Sequence, residues 1–504
     1  MKINKILIAN RGEIAVRVIR ACRELGIKSV AVYSDEDIQS LHVKLANEAY
    51  HIGPASPVES YLRIDKIIDA AKKAGADAIH PGYGFLSENE SFGEACEKEG
   101  IIFIGPRKET LALAGDKMAC KKIARKAGVP VVPGSDDMVE DVDEAASLAK
   151  DIGYPVLLKS AFGGGGRGIR LANNEEQLRQ EFNMASMESK AAFGKSALYI
   201  EKFLTNIRHI EFQFVRDAYG NAAHIFEREC SIQRRHQKLV EMSPSPVVDE
   251  ETRNRVGGYA VMAGEAVDYL NAGTVEFVRD NNTGNFYFIE INARLQVEHP
   301  VTELVSGLDL VKLQIAIASG EELPFKQEDL KLTGAAIECR INAEDPFNDF
   351  APSYGIVKDC RIPYGPGVRV DTYLYPGCNV SGYYDSLVAK IITWGKDFDE
   401  SRRRMLNALD EFYADGITTA IPLYKAIMND PAFINGDLST DYLQKYKLIE
   451  RLKDISKESI KKNKDAIASA VLVDSLYEGA RSKRVGTQLW KERGRFERSF
   501  GYGI

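Results

Sequence analysis

The sequence predicts a protein of mixed α/β and α+β class with more than one domain, and three observations lead to this prediction. The chain has 504 residues, which is more than one hydrophobic core normally holds. Short apolar strands alternate with helices over residues 5–104, a pattern typical of a parallel sheet with helices on both faces. Farther along, strands are paired through turn-forming residues or interrupted by Pro and Gly, which is typical of antiparallel sheets.

Composition and charge argue against several function classes. The net charge of -7 gives no reason to expect nucleic acid or an anionic membrane as a partner. No apolar segment is long enough to span a bilayer, and the N-terminal stretch MKINKILIANRGEIAVR turns polar too early for a signal peptide. The seven cysteines include no CxxC pair, so neither a zinc site nor a disulfide framework is favoured, and a cytoplasmic protein is expected.

The first segment, residues 1–113, contains the predicted parallel sheet. Strands are expected at residues 5–10, 29–33, 76–80 and 101–104, with helices at 14–25 and 64–74. The turn after the first strand reads NRGEIA and not GxGxxG. Because the glycines of that fingerprint let the backbone approach a pyrophosphate, a dinucleotide-dependent oxidoreductase is not favoured.

The second segment, residues 114–333, carries features of a phosphate-handling domain. Lys117 lies at the start of a predicted helix, where its charge opposes the helix dipole and a phosphate partner would offset that cost; a solvated lysine is the alternative. Lys159 ends a strand just before four consecutive glycines, whose backbone N–H groups can close on phosphate oxygens: Gly163, Gly164, Gly165 and Gly166. No GK[ST] follows, so this is not a Walker loop. A mobile lid over about residues 132–203 is predicted; a flexible hairpin tip is the structural alternative.

The stretch from residue 274 to residue 303 predicts an antiparallel hairpin whose turn lies at residues 280–284. Period-two alternation places five polar residues on one face of its second strand: Glu290, Asn292, Arg294, Gln296 and Glu298. Glu276, on the first strand, can meet Glu290. Two carboxylates suit Mg²⁺, an arginine suits a planar oxyanion, and a further glutamate can act as a base. The face therefore predicts a phosphoryl-transfer site; a solvated polar face is the plain alternative.

Other polar clusters are less specific by themselves. The edge formed by Glu201, Lys202 and Leu204 could meet an adenine. The run RRHQK, which includes His236 and Lys238 after Gln233, is either a solvated basic face or part of the phosphate site. His209 alone would most often be structural.

The last segments predict a helix at 300–319, then a third, antiparallel domain at 334–446. Its first strand, residues 334–343, places Glu338, Arg340 and Asn342 on one face. Residues 447–504 form a basic tail, which is either a surface helix with a disordered end or a docking arm for a partner.

Nine motifs occur in an order that matches a known family: IANRGEIA, HPGYGFLSEN, GDK, GGGGRG, HIEFQ, RECSIQRRHQK, FIEINARLQVEHPVTE, ECRINAEDP and YYDSL. Over roughly residues 1–446 the chain resembles biotin carboxylase of the ATP-grasp superfamily. The resemblance implies three domains: a Rossmann-like pre-ATP-grasp domain (1–113), an ATP-grasp domain with a glycine-rich lid (114–333) and a biotin carboxylase C-terminal domain (334–446). Ala161 and Phe162 precede the glycines where relatives often carry a smaller residue or a further glycine, a departure expected to alter lid packing but not phosphate contact.

The resemblance also implies site residues. Those for ATP are Lys117, Lys159, Gly163, Gly164, Gly165, Gly166, Glu201, Lys202, Leu204, His209, Gln233 and His236. Those for Mg²⁺ or Mn²⁺ are Glu276 and Glu290, with Asn292 nearby. Those for bicarbonate are Lys238, Arg294, Gln296 and Val297, with Glu298 as the base, and Arg340 and Tyr83 would lie near the biotin ring.

The implied activity is ATP-dependent carboxylation of biotin by bicarbonate through carboxyphosphate, in a homodimer. No Ala-Met-Lys-Met type site is present, so the biotin carboxyl carrier protein and the carboxyltransferase are expected to be separate chains. An acetyl-CoA or propionyl-CoA carboxylase is the expected system, with pyruvate carboxylase as the alternative. Another ATP-grasp ligase would not be expected to keep RLQVEHPVTE or Arg340, and a non-catalytic nucleotide-binding regulator would be expected to lose Glu276 and Glu290.

Overall fold

The computed structural model describes residues 2–135, 137–160, 169–193 and 198–462. It divides the chain into two units, Met1–Tyr446 and Lys447–Ile504. The four glycines of the predicted lid loop and the tail from residue 463 onward lie outside the described residues. No helix within the described ranges combines the length and the apolar content that a membrane crossing requires.

A five-stranded parallel sheet forms the N-terminal part. Its strands are β1 (Lys5–Ile8), β2 (Lys28–Ser34), β3 (Glu48–Gly53), β4 (Ala78–His80) and β5 (Ile102–Phe103). Its helices are α1 (Gly12–Glu24), α2 (Leu41–Leu45), α3 (Ile64–Ala74) and α4 (Glu90–Lys98), with short 3-10 turns at Asp35–Asp37 and Pro57–Glu59. The strand order is β3-β2-β1-β4-β5, and the paired strands run parallel. The prediction of a parallel sheet is confirmed.

Both faces of this sheet are covered because strand side chains alternate. Ile6 and Ile8 of β1 pack in one core cluster with Ile14 of α1. Leu7 of β1 packs in another with Ile67 of α3. Continuous apolar strands of this kind are typical of parallel sheets buried on both sides.

A smaller layer follows, with its own apolar core. Helices α5 (Lys108–Gly115) and α6 (Lys117–Lys126) come first and pack in the core cluster that contains Phe212 and Phe288. The layer itself consists of α7 (Val142–Ile152), β6 (Val156–Ser160), β7 (Ile169–Ala172), α8 (Glu175–Phe193) and β8 (Leu198–Lys202). The three strands form an antiparallel sheet in the order β7-β6-β8. Asp116 caps α6, because its carboxylate accepts hydrogen bonds from the backbone N–H groups of Met118 and Ala119.

The remaining elements build a larger antiparallel sheet and its cover. The strands are β9 (Ile207–Arg216), β10 (Ala222–Arg234), β11 (Gln237–Ser243), β12 (Asn271–Asp280), β13 (Phe286–Asn292), β14 (Ala335–Asn342), β15 (Glu344–Asp345), β16 (Ala351–Pro352), β17 (Gly355–Ile356), β18 (Asp359–Arg361), β19 (Val368–Thr372), β20 (Asn379–Val380), β21 (Leu387–Gly395) and β22 (Tyr413–Asp415). The helices are α9 (Glu250–Ala266), α10 (His299–Ser306), α11 (Leu310–Ala318), α12 (Phe398–Glu411), α13 (Ile421–Met428), α14 (Pro431–Ile434) and α15 (Tyr442–Lys445), with a 3-10 turn at Gln327–Asp329. The second unit begins with its own helix, α16 (Leu448–Lys462).

Eight of these strands form one sheet in the order β13-β12-β9-β10-β11-β14-β21-β19. The antiparallel pairing of β11 with β14 joins the middle and C-terminal parts of the chain, with Val240 opposite Cys339. Polar residues from both parts therefore reach the same sheet.

Two element predictions are wrong. The predicted helix at 300–319 is two helices, α10 and α11, because Gly307 adopts a left-handed conformation with φ of 75° and ends α10. The predicted second strand of the hairpin ends at Asn292, so Arg294, Gln296 and Glu298 follow it in a turn and at the start of α10.

Gly264 of α9 offers a test of this packing. A Cβ at Gly264 would lie 2.3 Å from a ring carbon of Phe214 on β9. We expect Gly264→Ala to lower the free energy of unfolding by about 1–3 kcal/mol, the usual cost of overpacking a core. The denaturation midpoint measures this change.

Gly258→Ala on the same helix is the matched control. No atom lies within 4 Å of a Cβ at Gly258, so only the gain in helix propensity of up to about 1 kcal/mol is expected. A midpoint for Gly264→Ala at or above that of the wild type would contradict the packing argument.

Candidate active site

A cleft of about 730 Å³ opens between the N-terminal sheet and the eight-stranded sheet. Eleven of the predicted site residues line it: Tyr83, His209, His236, Lys238, Glu276, Glu290, Asn292, Arg294, Gln296, Val297 and Arg340. The whole lining runs from Asn10 to Leu387, so the cleft brings together residues from distant parts of the chain.

Three carboxylates stand side by side across one edge of the sheet. Glu276 on β12 is directly opposite Glu290 on β13, and it is also opposite Glu211 on β9. The predicted meeting of Glu276 and Glu290 is therefore confirmed by the register. Like charges this close repel, so the row requires cations, and Lys117 forms an ion pair with Glu290.

Lys238 supplies the central cation. Its ammonium donates to Glu276 at 3.1 Å, to Glu298 at 2.7 Å and also to Glu211. Burial alone would lower the pKa of Lys238, but the three carboxylates raise it well above its ordinary value. Lys238 is therefore charged at neutral pH.

Glu298 is fully buried at the N-terminus of α10. One carboxylate oxygen accepts from Lys238, and the other accepts from Arg340 at 2.9 Å. Arg340 also donates its Nε–H to Glu241 at 2.5 Å, which holds the guanidinium plane in place. Burial would raise the pKa of Glu298, but Lys238, Arg340 and Arg228 hold it well below its ordinary value.

The guanidinium of Arg294 hydrogen-bonds two amide side chains in the cleft. It donates to Oε1 of Gln296 at 2.9 Å and to Oδ1 of Asn292 at 3.2 Å, and its Nε–H donates to Glu88 at 3.0 Å. The amide nitrogens of Gln296 and Asn292 are buried and have no hydrogen-bond partner among the described residues. Because buried donors are normally satisfied, this group fits a small oxyanion.

A second polar cluster surrounds Glu201 on β8. Lys159 and Lys121 both form ion pairs with its carboxylate. Burial would raise the pKa of Glu201, but the two ammonium groups hold it below its ordinary value. Lys202 instead directs its ammonium to the carbonyls of Gly153 at 2.8 Å and Tyr154 at 3.0 Å. Together with Leu204, these side chains are outside the cleft lining.

His209 and His236 reach the cleft by different routes. His209 contacts Glu276 at 3.0 Å through Nε2 and Gln233 at 3.1 Å through Nδ1. His236 lies in a two-residue turn between β10 and β11 in which both residues have positive φ, 50° for Arg235 and 65° for His236. Such a conformation is strained for non-glycine residues and is concentrated at functional sites.

Sequence reasoning missed several buried charges of the site. Glu211 shares the strand face of His209, so the alternation in HIEFQFV was an available signal. Lys390, fully buried on β21, interrupts an apolar run, and a lone lysine there is rarely buried without partners. Glu241 and Lys121 carried no local signal.

The donor set fits a hard divalent cation. Glu276 and Glu290 present carboxylate oxygens from adjacent strands. Ligand atoms of His209, Glu211 and Glu276 also lie within 4.8 Å of one another. Oxygen ligands of this kind suit Mg²⁺ or Mn²⁺ together with phosphate oxygens.

Three protein-family descriptions match the chain. The biotin carboxylase N-terminal domain matches residues 2–111, the ATP-binding domain of the carbamoyl-phosphate synthase L chain matches residues 116–326, and the biotin carboxylase C-terminal domain matches residues 338–445.

Similar curated proteins include a pyruvate carboxylase subunit of Methanothermobacter thermautotrophicus, 50% identical over 97% of this chain and 100% of its own. Biotin carboxylase 1 of Bacillus subtilis is 52% identical over 88% of this chain and 99% of its own. The alpha chain of propionyl-CoA carboxylase of Ruegeria pomeroyi is 49% identical over 87% of this chain and 67% of its own.

Similar solved structures include the biotin carboxylase domain dimer of 2-oxoglutarate carboxylase from Hydrogenobacter thermophilus, in complex with MgADP, ADP and bicarbonate. It is 50% identical with a TM-score of 0.81 and covers 89% of this chain and 99% of its own. The biotin carboxylase subunit of a pyruvate carboxylase is 51% identical, with a TM-score of 0.81 and the same coverage.

Proposed function

The chain belongs to the biotin carboxylase family, and we propose that it carboxylates biotin on a separate biotin carboxyl carrier protein, using ATP and bicarbonate. The observation that carries the proposal is that the fully buried Glu298 bridges Lys238 and Arg340, two cations that line the same cleft as the Glu276–Glu290 pair. A base, a cation beside it and a metal-binding pair are the parts that activation of bicarbonate by ATP requires.

We propose that bicarbonate binds at Lys238, Arg294, Gln296 and Val297. The unpaired amide donor of Gln296 and the guanidinium of Arg294 support this placement. A bound anion would draw Lys238 away from Glu298. Since Lys238 is one cause of the low pKa of Glu298, sharing that cation with bicarbonate raises the pKa and makes Glu298 a better base.

Glu298 then removes the bicarbonate proton, and the resulting carbonate oxygen attacks the γ-phosphorus of ATP. The bond to ADP breaks, and carboxyphosphate forms. Its breakdown gives CO₂ and phosphate, and phosphate takes the N1′ proton of biotin. Arg340 stabilises the enolate-like oxygen of the ureido ring, and N1′ captures CO₂. Tyr83, on the same cleft wall, is proposed to face the ring.

ATP is proposed to bind between the polar cluster around Lys238 and the polar cluster around Glu201. The residues are Lys117, Lys159, Gly163, Gly164, Gly165, Gly166, Glu201, Lys202, Leu204, His209, Gln233 and His236. Glu276 and Glu290, with Asn292 nearby, would hold Mg²⁺ or Mn²⁺, which when bound neutralises charge on the phosphate oxygens.

The experiment is an ATP hydrolysis assay on the purified chain. ATP cleavage that requires bicarbonate and rises with free biotin, together with transfer of bicarbonate carbon to biotin, is the expected result. ATP cleavage that depends on an amino acid or ammonia would favour another ATP-grasp ligase. Nucleotide binding without any cleavage would favour a non-catalytic regulator.

The carboxyl acceptor belongs to a partner carboxyltransferase, and an acyl-CoA such as acetyl-CoA or propionyl-CoA stays the first candidate. Pyruvate is the second candidate, favoured by one observation: the match to the pyruvate carboxylase chain of Methanothermobacter thermautotrophicus extends over 97% of this chain. Carboxylation assays with co-purified partner subunits and each acceptor distinguish the two.

We also propose the domain limits near residues 113, 333 and 446, which the ranges of the three family matches support. A homodimer is supported by the dimeric 2-oxoglutarate carboxylase domain. A cytoplasmic location is proposed because all seven cysteines are free thiols.

A further inference from the structure

Lys390 is a fully buried lysine that does not line the cleft. It lies on β21, directly opposite Arg340 on β14 and Asp371 on β19. Its ammonium donates to the backbone carbonyl of Val297 at 2.8 Å. Burying an ammonium costs roughly several kcal/mol of desolvation free energy unless charged or polar partners compensate.

Carboxylates compensate the charge of Lys390. Glu13, at the start of α1, lies 3.2 Å from the ammonium, and Asp371 lies 3.9 Å away. Burial would lower the pKa of Lys390, but Glu13, Glu338 and Asp371 raise it above its ordinary value. The group that reaches Val297 is therefore a cation and not a neutral amine.

The carbonyl of Val297 belongs to the peptide unit that joins Val297 to the proposed base, Glu298. The same planar peptide carries the N–H of Glu298, and Glu298 is the residue that precedes α10. The turn that ends at Glu298, residues 293–298, lies between β13 and α10 and belongs to no strand. A second contact holds the preceding part of the turn, because the ring of His299 hydrogen-bonds the carbonyl of Gln296 at 2.8 Å.

We infer that Lys390 is a positioning residue, which holds the Gln296–Val297–Glu298 turn in the orientation that binds bicarbonate and aims the base. The inference rests on the proposed function. Lys390 contacts the turn through the Val297 carbonyl and does not line the cleft, so it is assigned no contact with substrate. Glu13 links Lys390 to the cleft wall, since its carboxylate lies 3.2 Å from the ammonium and also accepts the hydroxyl hydrogen of Tyr83.

The test compares Lys390→Met with the wild type in bicarbonate-dependent ATP cleavage. A small displacement of reacting groups can cost about 10²-fold. We expect the KM for bicarbonate to rise and kcat/KM for bicarbonate to fall by about 10- to 100-fold on this ground. The affinity for MgADP is expected to change less than about threefold, because the Glu201 cluster of β8 lies outside the cleft that Gln296 and Val297 line.

Two further variants keep the test decisive. Lys390→Met combined with Glu13→Gln removes one positive and one negative buried charge, so it preserves the charge balance if the single variant does not fold. Lys425→Met is the matched control, because it removes only the partly exposed ion pair with Asp410 and should leave both constants unchanged.

A bicarbonate KM within about threefold of the wild type in either folded Lys390 variant would overturn the inference, since a purely stabilising lysine would affect folding alone. If the wild type itself shows no bicarbonate dependence, the proposed function fails and this inference fails with it. Equal loss of MgADP affinity and bicarbonate kcat/KM would also overturn it, because that result indicates general disruption.

Discussion

Glu298→Gln is expected to reduce both bicarbonate-dependent ATP cleavage and biotin carboxylation by about 10²–10⁴-fold, the usual contribution of a positioned base. Glutamine has nearly the same shape as glutamate but cannot accept a proton at neutral pH. Three neighbouring carboxylates, Glu211, Glu241 and Glu276, remain beside Lys238 and Arg340. The cleft should therefore stay folded, and MgADP affinity should change little.

Steady-state ATP hydrolysis with and without bicarbonate measures this effect. Glu99→Gln, which removes only a surface ion pair with Lys72, is the control for glutamate loss and should behave as the wild type. Activity of Glu298→Gln within about threefold of the wild type, well below the range for a lost base, would remove Glu298 from its proposed role.

Arg340→Ala is expected to reduce biotin carboxylation by hundreds-fold, since the loss of one charge donor aimed at a developing oxyanion costs about 3–4 kcal/mol. ATP cleavage in the absence of biotin should fall less, because Arg340 is assigned to the biotin oxygen and not to the phosphoryl step. A loss of equal size in both reactions would contradict this division of roles.

The pH profile of Arg340→Ala gives a second readout. Arg340 lowers the pKa of Glu298, so its removal raises that pKa. The acidic limb of the ATP cleavage profile, which reports protonation of the base, should move to higher pH. Arg340→Lys keeps the charge but cannot donate to Glu241 and Glu298 from one planar group, so its carboxylation rate should lie between those of alanine and the wild type.

The central hairpin shows why part of the site could be predicted. Glu276 and Glu290 meet because a short turn fixes the register of two strands, and strand alternation then places both side chains on one face. These are local rules, and a single sequence contains them. Arg294 and Gln296 also line the cleft, but not through strand alternation. Strand β13 ends at Asn292, and the turn that follows carries both residues into the cleft.

Other contacts depend on elements that are distant in the chain. Arg340 reaches Glu298 because β14 pairs with β11 in the same sheet. Glu13 reaches Lys390 only where the start of α1 packs against β21. Neither pairing leaves a periodic signal, and the choice among possible strand neighbours depends on the burial of whole faces.

The sequence by itself therefore determined the family, the parallel N-terminal sheet and the carboxylate pair, because these follow from motif order, periodicity and turn chemistry. Only the tertiary structure decided which charged side chains line the cleft and which, such as Lys390, contact the residues that line it. The physical reason is that a buried charge is stable only beside a partner, and the partners of Glu298, Lys238 and Lys390 come from strands and helices that the chain brings together only on folding.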